Sequence, residues 1–238
     1  MIITRRRFVS QSLASLAATA LATRWAPPGA ELRVATRVDA TQPDIADGLA
    51  FGAAEADRSA QLFGWRVRRI DLSDSASTSR NDYDALVVGT PVHIATYDVH
   101  VPVLALSCAS DGSANVFQLN SCSPPAATDA GARVVLWHAS LERFGAEQLN
   151  DRYRAAIGRA MTGDAWLAWF GMKVLAESAL RARSSDRTKL LDYLRSPSAQ
   201  FDGHKGVPLH FDAQRRLVQP LYVVRGAADA RVIREIDP

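Results

Sequence analysis

The residues able to carry covalent or redox chemistry are few and scattered along the 238-residue chain. Cys108 and Cys122 are the two cysteines, and the five histidines, His93, His100, His138, His204 and His210, stand far from one another in sequence. His138 and Glu142 would share a helical face, but the segment around His138 begins as a strand. A surface or hydrogen-bonded loop histidine is therefore the plainer reading than a metal ligand. No GxSxG, phosphate loop, HExxH, CxxC or CxxCH occurs, so hydrolase, nucleotide, zincin and haem chemistry all lack their local marks. The expectation is a protein that is not an enzyme, with no catalytic residues, no metal and no cofactor. Trp166 and Trp169 sit in a strongly apolar segment, where their helical spacing fits a core better than an aromatic box for a ligand.

One motif near the start is specific. Thr4-Arg5-Arg6-Arg7-Phe8-Val9 matches the twin-arginine export pattern. Behind it lie an Ala-rich apolar stretch from Val9 to Leu21 and a small-x-small cleavage site at Ala20-Leu21-Ala22, with Ala30 as a second choice. The apolar stretch falls short of the roughly 20 residues needed to span a bilayer, and no later stretch spans either. Residues 1–22 thus read as a signal peptide and the mature protein as periplasmic. In that oxidising compartment a Cys108–Cys122 disulfide is the default, worth about 3 kcal/mol by loop closure. Two separate buried thiols are the alternative; a metal pair lacks a third ligand nearby. Net charge is +3 and the pI about 9.1, but Arg5, Arg6 and Arg7 carry that whole excess, which leaves a neutral body with no call for nucleic acid as a partner.

The remaining chain, 47% hydrophobic and 22% charged, alternates strand and helix patterns. Leu32 to Val38 reads as a strand. Pro43 to Phe63 reads as a helix with Pro in its first turn and Gly64 past its end. Strands follow at Trp65–Leu72, Asp84–Val88, Val101–Leu106, Val116–Leu119 and Arg133–Trp137. Helices are expected over Leu141–Ile157, Asp164–Arg183 and Asp186–Leu194, the second apolar nearly all round and so buried on more than one side. Pro208–Phe211 and Leu221–Val224 read as the strands of a hairpin, with Arg231–Ile236 extended. The fold class expected is α/β: a parallel sheet with helices on both faces and a C-terminal β-hairpin.

Two blocks of the chain resemble a known family. "DYDALVVGTPV" followed by "VPVLALSCAS", and later "LERFGAEQLNDRYRAAIGRAMTGDAWLAWFGMKVLAESALRARS" and "FDGHKGVPLHFDAQRRLVQPLYVVR", are similar to segments of the type I periplasmic solute-binding proteins of branched-chain amino acid ABC transporters. The last matches their closing "FxGxxGPLxFDxxGxxxxPxYVV" pattern. Within the family the chain looks closest to the branch found beside pyrroloquinoline-quinone-dependent alcohol oxidation systems. The resemblance implies one lobe of that fold over 31–238, in blocks 31–120 and 133–238, with most of the second lobe missing at Ser121–Ala132.

By position, the family's ligand loops fall on Thr90 and His93 and on Ser107, Ala109 and Asp111. His93, Cys108 and Asp111 depart there from the family's common Ser/Thr pattern. The implied partner is a small polar ligand, amino-acid-like or related to alcohol oxidation, handed to an ABC permease. The alternative is an interaction or accessory protein beside a periplasmic quinone-dependent dehydrogenase. The apolar girth of the Asp164–Arg183 helix calls for a cover, either a second copy in a homodimer or the C-terminal hairpin.

Overall fold

A computed structural model describes residues 30–39, 41–72, 82–89, 100–107, 114–120, 125–127, 131–226 and 230–238. The strands β1 (Ala30–Arg37), β2 (Trp65–Asp71), β3 (Ala85–Val88), β4 (Val103–Ala105) and β5 (Val116–Gln118) form one sheet in the order β2-β1-β3-β4-β5. Every pair in it is parallel. The continuous apolar runs at β3 and β4 are buried throughout, as strands covered on both faces must be.

Helix α1 (Pro43–Gln61) starts on Pro43, and Gly64, at φ 75°, supplies the left-handed turn beyond its end. Helix α2 (Ala146–Ile157) begins later than the sequence pattern suggests. Phe144 (φ 58°) and Gly145 (φ 84°) are both left-handed, and Arg143–Gly145 is a separate 3-10 turn. Helix α3 (Gly163–Ala182) is capped by Thr162, whose hydroxyl accepts from Ala165 N at 3.2 Å. Helix α4 (Arg187–Arg195) is capped by Asp186 through Lys189 N at 3.1 Å.

Two small antiparallel sheets complete the described chain. One joins β6 (Ala132–Val135), β10 (Leu221–Arg225) and β11 (Arg231–Ile236) in the order β11-β10-β6, and the other joins β7 (Phe201–Asp202), β8 (Pro208–Phe211) and β9 (Leu217–Val218). This corrects two expectations. The Arg133–Trp137 segment pairs antiparallel with β10 and not with the parallel sheet. The hairpin partner of β8 is the short β9, while Leu221–Val224 belongs to the other sheet. In both cases local alternation marks a strand without saying what it pairs with, and β10 is claimed by the distant β6.

The main core lies between one sheet face and the helices: Leu32, Val34, Val87, Leu104, Phe117 and Leu119 pack with residues of α1, α2, α3 and α4. Ala35, Leu86, Val88, Val103, Ala105 and Val116, alternating with that set, form a second cluster to which no described helix contributes. The girth of α3 is covered within the chain. Gly171 sits over Leu104, Leu106 and Leu119 of the sheet; α1 and α4 flank it; and Phe201 meets Phe170 edge-on at 6.5 Å. A homodimer is therefore not needed to cover α3.

Helices α1 and α3 approach at backbone distance. A Cβ on Gly48 would fall on the Ala165 carbonyl oxygen and 2.8 Å from Ala168 Cβ; one on Gly52 would lie 2.9 Å from Trp169 Cα. Gly48→Ala should therefore lower stability by about 3 kcal/mol, despite the roughly 1 kcal/mol that alanine gains in helix propensity. Gly64→Ala, with nothing near its Cβ position, should lose about 1 kcal/mol from its positive φ alone. Urea unfolding of the two variants measures the difference.

Candidate functional site

In an open parallel sheet, ligands bind beyond the carboxyl ends of the strands, where successive connections leave in opposite directions. Here that point lies between β1 and β3, because β2 is on one side of β1 and β3 on the other. The ladder runs one step past the strands. Gly89 N donates to Arg37 O, Leu106 N to Val88 O, and Leu119 N to Ala105 O, each at 2.9 Å. The register Arg37–Val88–Ala105–Gln118, continued two residues, sets Asp39, Ser107 and Asn120 in one row along this edge.

Two polar atoms there are buried without a hydrogen-bond partner: Gln42 Oε1 and Ser107 Oγ. Gln42 stands just before the Pro43 that starts α1, its backbone N–H held by Asp39 O at 2.9 Å. Its side chain leans over the switch point, so that a Cβ on Gly89 would come 3.1 Å from Oε1. Asp39 accepts from Thr41 N at 2.9 Å, and that backbone bond holds its carboxyl below the usual carboxylate range.

Asn120 of this row also lines a cleft of about 340 Å³, bounded by the end of β6 through Trp137, the first turn of α3 and Leu221; Gln42 and Ser107 do not line it. Its rim is fixed by Arg159, whose guanidinium grips Asp44, and Asp47 at 2.6 Å. Thr162 Oγ1 donates to Asp44 Oδ2 at 2.9 Å while capping α3, so the starts of α1 and α3 are tied side by side. Partial burial of Asp44 opposes its ionisation, but the hydrogen bonds from Arg159 and Thr162 outweigh this and hold its pKa down. Asp164, in the first turn of α3, is raised instead, by desolvation first and then by the Asp44 charge. The back wall is rigid. Trp137 donates to Asn150 Oδ1 at 2.9 Å and stacks on Trp166 at 5.7 Å.

Of the residues singled out in the sequence, Ser107 lies on this edge. Thr90, His93, Ala109, Asp111, Cys108 and Cys122 lie outside the described residues, as does the 1–22 segment. His138 is a hydrogen-bonded loop histidine, its Nδ1 2.8 Å from Ser140 Oγ. Among the described residues no group of three or more His, Cys, Asp or Glu could hold a metal ion, and no helix is long and apolar enough to cross a membrane. Sequence reading missed Gln42, Asn120 and Asp164. The signal for Gln42 was its place before a helix-starting proline, and for Asn120 its place two residues past a strand.

Solved structures share this architecture. A branched-chain amino acid transporter substrate-binding protein from Streptococcus pneumoniae, in complex with isoleucine, aligns with 85% of this chain and 99% of its own at TM-score 0.62 and 13% identity. An ABC transporter substrate-binding protein from Desulfitobacterium hafniense in complex with Leu aligns with 85% and 100% at 0.67 and 10%. The solute-binding protein of an ABC transporter from R. palustris, in complex with benzoate, aligns with 87% and 97% at 0.64 and 10%. The described fold matches one lobe of the periplasmic binding proteins. At these identities the likeness is one of fold. No family model and no curated protein matches the chain.

The Asp44 clamp gives a signed pH dependence. A carboxyl whose folded pKa is depressed contributes stability that is present above its unfolded pKa, near 3.9, and lost as pH falls through the folded value. Asp44→Asn should lower stability at pH 7 by about 1 kcal/mol and shrink the loss between pH 5 and pH 2. Thermal unfolding of both proteins across that range checks it.

Proposed function

We propose that this chain is the periplasmic solute-binding component of an ABC uptake system, or a shortened relative of one. It takes a small polar ligand at the C-terminal edge of the parallel sheet. The observation that carries this reading is the unpaired, buried Ser107 Oγ beside the switch point, with Gln42 Oε1 in the same state. A buried hydroxyl or amide oxygen without a partner is unfavourable, and a ligand supplying a donor relieves it. An ammonium or hydroxyl group has that donor. Thr90 and His93, with Ala109 and Asp111, complete the ligand loops in this proposal, by the family resemblance of their segments.

The same reading takes in the rest of the chain. Residues 1–22 serve twin-arginine export, Cys108 and Cys122 form a disulfide after it, and 31–238 is a single lobe shortened at Ser121–Ala132. The one parallel five-stranded sheet among the described residues supports the single-lobe reading. The accessory role beside a quinone-dependent dehydrogenase rests on the family resemblance alone.

Thermal-shift titration with leucine, isoleucine and benzoate, the neighbours' ligand chemistries, tests the site. A ligand at a hundred times its dissociation constant should add about 2.7 kcal/mol. Ser107→Ala should remove most of that response and leave the unliganded protein unchanged or about 1 kcal/mol more stable, since the hydroxyl has no bond to lose. A response untouched in Ser107→Ala would move the site elsewhere, and no response to any of the three would remove the support for an amino-acid or aromatic-acid ligand.

A further inference from the structure

Lys205, in the connection from β7 to β8, is fully buried, and the oxygens that hold it are neutral. Its Nζ donates to Gln219 Oε1 at 2.7 Å and to Pro220 O at 2.8 Å. It lies 4.2 Å from the centre of the Trp166 ring and 5.3 Å from that of Tyr222. Three of these neighbours lead to different walls of the cleft. Gln219 Nε2 donates to Leu119 O at 2.9 Å, one residue before Asn120. Trp166 stacks on Trp137. Pro220 precedes Leu221. Asn120, Trp137 and Leu221 all line the cleft.

We propose that Lys205 is a positioning residue for the cleft: its buried ammonium holds the end of β5, the end of β6 and the start of β10 in one mutual arrangement, through Gln219, Trp166 and Pro220. The inference rests on the solute-binding reading for its purpose, but not for its geometry. A structural need for bulk alone would be met by an apolar side chain. Burial drives the ammonium well below the usual lysine value, a standing penalty that methionine in the same space would avoid. What methionine cannot do is bridge two oxygens and two ring faces at once. Burying this amine thus trades stability for a fixed geometry.

Hydrogen exchange on the full chain separates positioning from general stability, because it reads segments individually. Lys205→Met should speed exchange about tenfold or more at 117–120, 133–138 and 219–223 while leaving α1 and α4 unchanged. Gln219→Leu, which keeps Lys205 on Pro220 O, should loosen 117–120 alone. No change in those segments, or one equal acceleration across the whole chain in both variants, would overturn the proposal. Wild-type protein that ignores leucine, isoleucine and benzoate yet shows the segment pattern would overturn the ligand reading and leave the positioning role standing. Where wild type does respond to one of them, Lys205→Met should weaken that response about tenfold, and an unchanged affinity would show that the cleft does not depend on Lys205.

Discussion

The backbone approach of α1 to α3 at Gly48 and Gly52 is the constraint on which the other features depend. The two helices run side by side, Gly48 against Ala165 and Gly52 against Trp169, so they advance in the same direction and both begin at the ligand edge of the sheet. Only at this separation can Thr162 reach Asp44 and Arg159 close over both Asp44 and Asp47. Further along, Trp169 Nε1 donates to Glu55 Oε2 at 3.0 Å, and Arg152 reaches the same carboxylate at 2.7 Å. Glycine at two positions thus decides whether two sets of polar groups meet. Larger residues would not merely thicken the core; they would pull the rim of the cleft apart.

Helix α3 also serves the second sheet. Its outer side carries the stack Trp137–Trp166–Phe170, with ring separations of 5.7 and 5.0 Å, and Trp166 Nε1 donates to Gly203 O at 3.2 Å. Moving the β6–β10–β11 sheet against the parallel sheet therefore requires unstacking Trp137 or sliding α3, and α3 cannot slide without breaking its contact with α1. The cleft sits between two bodies that share one helix. That arrangement explains a helix apolar nearly all round in a single chain: it is packed from the sheet side, from both flanks and from the aromatic side.

Most elements were legible because their periodicity is a local property. The strands β1 to β5 and the spans of α1, α3 and α4 follow from apolar spacing and, for α1, from Pro43 as a start signal. What escaped was pairing and conformation set elsewhere in the chain. Four residues of β6 say nothing of β10, nearly ninety positions on. The left-handed Phe144 and Gly145, which delay α2, lie against His204 and Gly206, segments invisible to a local window. The site was less legible than the fold. Ser107 was reached through a family resemblance; Gln42 and Asn120 become neighbours of the same edge only once the strand order and register are known.

Lack of a partner does not by itself mark a binding atom. The hydroxyls of Tyr153 and Tyr193 are buried and unpaired as well, and burial pushes Tyr153 up to about 12. They lie on helices α2 and α4 and not in the row of residues beyond the strand ends. Along the sheet edge the pattern is different. The polar groups that fix the frame, Asp44, Thr162, Asn150 and Gln219, spend their capacity on one another and on backbone N–H and C=O groups. Gln42 and Ser107, set on that frame at the point where open sheets take ligands, keep theirs. A site that binds has to combine both: groups satisfied in advance so that it does not collapse, and groups left wanting so that a ligand has something to offer.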